Sequence, residues 1–169
     1  RPRFKNCMNP EVFIRLAEAW EMINDDDEVR AVILTGAGGT FCAGADLKAF
    51  GTPDMNRVDP AGPGPMGPSR MVLSKPVIAA INGFCLAGGL ELALGCDIRI
   101  ASSTASFGAP EARWSILHGF GAMRLPHVVG LSLALDLMLT GERIDARRAF
   151  EVGLVSRLVE PDQLMAEAE

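Results

Sequence analysis

Twice along this chain an apolar, strand-like run passes through a loop into a turn of small residues that opens a helix. The first is Val32-Ile33-Leu34 leading to Phe41-Cys42-Ala43-Gly44-Ala45-Asp46-Leu47-Lys48. The second is Val77-Ile78-Ala79-Ala80-Ile81 leading to Leu86-Ala87-Gly88-Gly89-Leu90-Glu91-Leu92. A third apolar run, Ile98-Arg99-Ile100-Ala101, and a last one, Leu154 to Val159, alternate with helical stretches, which implies an α/β protein with buried strands. Asn9-Pro10 has the pattern of a helix start, and Val12, Phe13, Leu16, Ala17, Trp20 and Ile23 then recur at helical spacing until Asn24-Asp25-Asp26-Asp27 ends the helix. From Pro110 onward the pattern is mostly helical, through Leu125–Val129 and Leu131–Leu139. Gly51 to Pro68 holds five prolines and four glycines and reads as a mobile loop, either a lid or pocket edge or a tolerated surface insertion.

The chain has 169 residues, enough for one domain with a real core, and 49% are hydrophobic against 22% charged, so a folded globular protein is expected. A net charge of −5 argues against a nucleic-acid surface, and no apolar run is long enough to span a bilayer as a helix. Cys7, Cys42, Cys85 and Cys96 have no CxxC-type spacing, and only His118 and His127 add imidazole, which disfavours a zinc site and a disulfide framework. A reducing, cytoplasmic compartment is the default expectation. The first residue is Arg1 and the last stretch, Asp162 to Glu169, is helix-like, so the chain reads as a piece of a longer protein.

Small residues in a turn let a ligand approach the backbone, and the first turn of a helix leaves N–H groups unpaired. Two such turns can aim two N–H donors at one developing oxyanion, where one donor is worth about 3–4 kcal/mol of transition-state stabilisation. The same spacing also describes an ordinary strand-to-helix connection. A nucleotide fold fits less well, because Gly36-Ala37-Gly38-Gly39-Thr40-Phe41 lacks the third glycine of the dinucleotide fingerprint and no P-loop pattern is present.

Glu91 is the most informative single residue. Its neighbours Leu90, Leu92, Ala93 and Leu94 make the helix apolar nearly all round. A buried carboxylate needs a partner, with Arg99 or Arg113 as candidates, or is kept for chemistry, since burial raises its pKa toward neutrality. Glu111 follows Pro110 as in a helix first turn, where an acidic residue simply complements the helix dipole.

Taken in order, these segments resemble the enoyl-CoA hydratase/isomerase, or crotonase, superfamily over nearly the whole chain. Thr40 to Lys48, Lys75 to Gly83, Ala87 to Leu92, Cys96-Asp97-Ile98, Phe107 to Glu111, Leu139 to Ile144 and Gly153-Leu154-Val155 all fit the family's sequence of motifs. The resemblance implies a crotonase-like (ClpP/crotonase) spiral of ββα units, with residues 1–169 as a partial core domain lacking early strands and the C-terminal trimerisation helices. It implies the backbone amides of Ala45 and Gly88 as an oxyanion hole, and Glu91 and Glu111 as the two catalytic glutamates. Those two hold a water that adds to a 2-enoyl-CoA thioester, giving a 3-hydroxyacyl-CoA through an enolate. Ala43, Asp46, Leu47, Lys48, Trp114 and Gly119 fall at substrate-binding positions. The expected partner is an acyl-CoA substrate, with no metal or redox cofactor, no nucleic acid and no membrane, and the complete protein is expected to be a homotrimer or homohexamer.

Isomerases of this superfamily commonly keep only the glutamate matching Glu111, so two glutamates favour hydration. The dehalogenases place a nucleophilic aspartate where this chain has Gly119. Double-bond isomerisation, a carnitinyl-CoA-type dehydration and non-catalytic acyl-CoA binding are the alternative readings. The chain departs from the family at Ala87, where glycine is usual, and from Ala112 to Ala122, which replaces a Gly…Pro…Gly-Gly pattern and leaves substrate preference open. Within that stretch Trp114 and Phe120 read either as pocket or as core, and His118 reads as structural rather than as a third acid/base group. Arg3, Lys5 and Lys48 are candidates to meet coenzyme A phosphates, against plain surface charge.

Overall fold

A computed structural model of the chain describes residues 1–49, 51, 52, 55 and 73–169. Most of the proline- and glycine-rich stretch from Gly51 to Pro68 lies outside the described residues.

The first long helix, α1 (Pro10–Asp25), begins as its residues dictate: Asn9 accepts a hydrogen bond from the Val12 N–H at 3.2 Å, and Pro10 supplies the fixed φ of the first turn. Trp20 is buried, and Val12, Phe13, Leu16 and Ile23 pack against the same main core. Four strands, β1 (Val32–Thr35), β2 (Val77–Ile81), β4 (Ile98–Ser102) and β7 (Arg157–Val159), form a parallel sheet in the order β1-β2-β4-β7. Three short strands, β3 (Phe84–Leu86), β5 (Ser106–Gly108) and β6 (Arg143–Asp145), form a second sheet in which β3 and β5 are parallel and β6 is antiparallel.

The chain thus winds as a spiral. β2 enters the large sheet, β3 the small one, and helix α2 (Gly88–Leu94) returns the chain to β4 and then β5. An isolated bridge pairs Cys42 with Cys85 and carries the same plan one turn back. After β5 come a 3₁₀ turn at Pro110–Trp114, α3 (Gly119–Val129) and α4 (Leu131–Thr140), then β6, α5 (Ala146–Glu151), β7 and α6 (Leu164–Ala168).

Both faces of the large sheet are covered, which is why its strands read as continuous apolar runs. Val77, Ala79 and Ile81 of β2 face the main core with Leu90, Leu94, Phe107, Leu125 and Leu137, while Ala80 faces a smaller cluster with Ile100, Leu164 and Ala168. Phe107 has no exposed surface, and such burial stabilises by about 1.5–3 kcal/mol. Arg99 leaves the sheet's charge satisfied by donating to the carbonyls of Leu154 and Cys96, each at 2.8 Å.

Two expectations change. The last strand starts at Arg157 rather than Leu154, because the Leu154 N–H donates to the Ala149 carbonyl at 2.9 Å and so belongs to the end of α5. The small sheet has no counterpart in the sequence reading, since three-residue strands are too short for a periodic signal.

Candidate active site

The two small-residue turns meet. Met8 bridges Ala45 in parallel register, its N–H donating to the Gly44 carbonyl and its carbonyl accepting from the Asp46 N–H, both at 2.9 Å. The alternation of an extended backbone then turns the N–H of Ala45 itself away from Met8. Gly44 has φ +100°, and a Cβ there would fall 2.7 Å from the Ala87 Cβ and 3.5 Å from the Gly88 nitrogen. Glycine is needed on both counts, and the first turn rests directly on the second. Gly88 is the first residue of α2, and among the described residues neither its N–H nor that of Ala45 donates a backbone hydrogen bond. Ala87 holds φ 53° and ψ −126°, a conformation suited to glycine.

A cavity of about 340 Å³ opens against both turns. Ala45 and Gly88 line it, as do Glu91 and Glu111. Ala43, Asp46, Leu47, Lys48 and Trp114 of the expected substrate-binding set line it too. Gly119 does not, but a Cβ on it would lie 3.6 Å from Glu91 Oε1, so it borders the carboxylate rather than the cavity. Trp114 and Phe120 part company: Trp114 lines the cavity and is 61% exposed, whereas Phe120 packs against the main core. Cys7, Met8, Phe13, Ile116 and Leu117 complete a largely apolar wall that no motif had indicated. Among the basic candidates, Lys48 borders the cavity, Lys5 stacks its ammonium 4.9 Å from the centre of the Phe84 ring, and Arg3 is exposed.

Neither arginine proposed as a partner reaches Glu91. Arg99 serves two carbonyls, and Arg113 pairs with Glu142 at 2.6 Å. Glu91 instead accepts a hydrogen bond from the Gly121 N–H at 2.9 Å, and its side chain is only 12% exposed. Burial pushes its pKa up, opposed by the Gly121 N–H and by His118 and reinforced by Glu111. Glu111, in the 3₁₀ turn, is buried, and its Oε1 lies 2.7 Å from His118 Nδ1. The same nitrogen is 3.9 Å from Glu91 Oε1, so one imidazole stands between the two carboxylates.

His118 and Gly121 are the residues that sequence reasoning underrated. A polar ring inside the apolar run Ile116-Leu117-His118-Gly119-Phe120 was the available signal. Among the described residues no three such side chains are spaced to hold a metal ion.

Comparison with known proteins places the chain in a family. The sequence profile of the enoyl-CoA hydratase/isomerase family matches residues 1–169. The chain belongs to that family. A short-chain-enoyl-CoA hydratase of Clostridium acetobutylicum is 43% identical over 175 residues, covering 100% of this chain and 66% of that protein. A crotonyl-CoA hydratase of Syntrophomonas wolfei is 41% identical, with 100% and 66% covered. A solved enoyl-CoA hydratase from Mycobacterium tuberculosis superposes with a TM-score of 0.91 at 41% identity, covering 99% of this chain and 66% of that one. The chain therefore spans just under two thirds of the length of these enoyl-CoA hydratases, and the spiral of ββα units is the crotonase fold.

Proposed function

We propose that the complete protein reversibly adds water to a 2-enoyl-CoA thioester, forming the 3-hydroxyacyl-CoA. One observation carries the reading: two carboxylates, the partly buried Glu91 and the buried Glu111, line the same cavity as the two small-residue turns at Ala45 and Gly88. The relatives' names, crotonyl-CoA hydratase and short-chain-enoyl-CoA hydratase, support it.

In this reading the thioester carbonyl oxygen accepts from the Ala45 and Gly88 N–H groups. Polarisation toward the oxygen leaves the β-carbon electron-poor and stabilises the enolate that forms when water attacks there. A water held between the carboxylates loses a proton to one of them as its oxygen bonds to Cβ. The other, protonated at the start, gives its proton to Cα as the enolate collapses; the proton taken from water then passes between the two carboxylates, so that H and OH are added and both glutamates return to their starting states. Burial prepares Glu91 for this work by making its protonated form accessible nearer neutral pH than an exposed carboxyl allows. No step requires a metal or redox cofactor. The four free cysteines suit a reducing, cytoplasmic compartment, and assembly as a trimer or hexamer of the complete chain belongs to the same proposal.

The test is direct. The complete protein is incubated with crotonyl-CoA and longer enoyl-CoAs while the absorbance of the conjugated enone is followed. Loss of that absorbance with appearance of the 3-hydroxyacyl product is the expected result; no hydration at any chain length rejects the reading. Double-bond migration without water uptake would instead mark an isomerase.

A further inference from the structure

The mechanism above uses two carboxylates and leaves out the group between them. His118 is the residue just before α3, and its side chain is 3% exposed. Nδ1 is 2.7 Å from Glu111 Oε1, while Nε2 is buried with no hydrogen-bond partner among the described residues. The ring lies over Gly121, where a Cβ would collide with Nε2 itself. A proton on Nε2 would therefore be a buried donor facing backbone with nothing to receive it, a costly arrangement. A proton on Nδ1 has Glu111 Oε1 directly in front of it. Between the two tautomers, the surroundings select the one protonated at Nδ1.

From this we infer that His118 is a positioning residue: its Nδ1–H holds Glu111 Oε1 and so fixes the orientation of the Glu111 carboxyl group at the wall of the cavity. Oε2 is buried and engaged by no protein group among the described residues, so Oε1 is the oxygen through which the carboxylate is held. The pairing is matched on the other side, where the Gly121 N–H holds Glu91 Oε1. Each carboxylate thus has one oxygen tethered to the His118–Gly121 segment. The role in turnover rests on the hydratase reading; the hydrogen bond itself does not.

Two measurements on the complete protein separate those layers. With ¹⁵N-labelled histidine, an imidazole N–H resonance in slow exchange with solvent is expected on Nδ1. It should vanish in His118→Asn and shift in Glu111→Gln. Absence of that resonance, or indifference to Glu111→Gln, overturns the proposal. In the kinetic arm, His118→Leu removes the donor and His118→Asn restores one near the Nδ1 position. The leucine variant is expected to lose roughly 10- to 100-fold in kcat, since misplacing a catalytic group costs about that much. KM should stay within about threefold, as for an interaction made in the transition state, and the asparagine variant should recover most of kcat. A folded leucine variant with unchanged kcat, or a folded asparagine variant no better than leucine, overturns the role. If leucine does not fold, the asparagine variant and the wild-type resonance decide. If the wild type hydrates no enoyl-CoA, the positioning role falls with the hydratase reading, while the resonance still decides the hydrogen bond.

Discussion

Gly121 has no room for a side chain because the His118 imidazole occupies the space a Cβ would need. The same glycine donates its N–H to Glu91 Oε1 at 2.9 Å, while His118 contacts Glu111 at 2.7 Å. One turn of backbone thereby sets the position of both carboxylates. Gly121→Ala should expel the ring and disturb both. Overpacking of this kind costs about 1–3 kcal/mol, to be read as a lower denaturation midpoint. Turnover should fall along with it. An alanine variant as stable as wild type would show that the ring can move aside freely.

Under the hydratase reading, Glu91→Gln and Glu111→Gln should each lower kcat, by roughly 10²- to 10⁴-fold for loss of acid–base function. Glutamine keeps an acceptor for the Gly121 N–H at position 91, so the fold should tolerate that change. Steady-state rates with crotonyl-CoA check it. If Glu91→Gln left turnover intact, a mechanism using Glu111 alone, as in the isomerases, would be favoured.

Stability should report the burial of Glu91 independently of activity. Burial raises its pKa above that of the unfolded chain, so between the two values the native state binds more protons than the unfolded state. Stability contributed by this group is therefore present at low pH and declines as pH rises through the native value. Glu91→Gln removes that decline. Urea denaturation of both proteins should show the glutamine variant more stable at neutral pH, with the difference shrinking below the ordinary carboxylate range. A difference that grows on acidification would contradict the assignment.

Ala87 and Gly44 should behave as a coupled pair. Ala87 sits at φ 53°, where a non-glycine residue carries about 1–3 kcal/mol of strain. Ala87→Gly relieves that strain, and the greater freedom of glycine in the unfolded chain offsets about 0.4–1 kcal/mol of the gain. A net increase of about 1 kcal/mol is expected on those terms. Gly44→Ala should destabilise, since its new Cβ would lie 2.7 Å from the Ala87 Cβ. With Ala87→Gly present that clash is gone, and the two changes should be non-additive by roughly 0.5–3 kcal/mol. A double-mutant cycle by chemical denaturation measures it, and strict additivity would show that the turns do not touch.

Much of this protein is determined by its sequence alone. The Asn9-Pro10 start of α1, the strands at Val32, Val77 and Ile98, and the two small-residue turns are local facts of periodicity and backbone preference, and they recur in the structure at nearly the expected bounds, although the Val32 strand is only partly buried and the Ile98 strand begins at an exposed residue. The ordered motifs also placed Glu91 and Glu111 side by side in expectation. What only the tertiary structure decided depends on contacts between distant segments. The small sheet of β3, β5 and β6 exists because neighbouring turns of the spiral lie close enough to pair, not because three residues prefer to be strands. The partner of Glu91 is a backbone N–H thirty residues away rather than either arginine, because the arginines are claimed by carbonyls and by Glu142. His118 became the link between the carboxylates for the same reason. Its value lies in where α3 begins relative to the Glu111 turn and to α2, a distance in space that no spacing along the chain encodes.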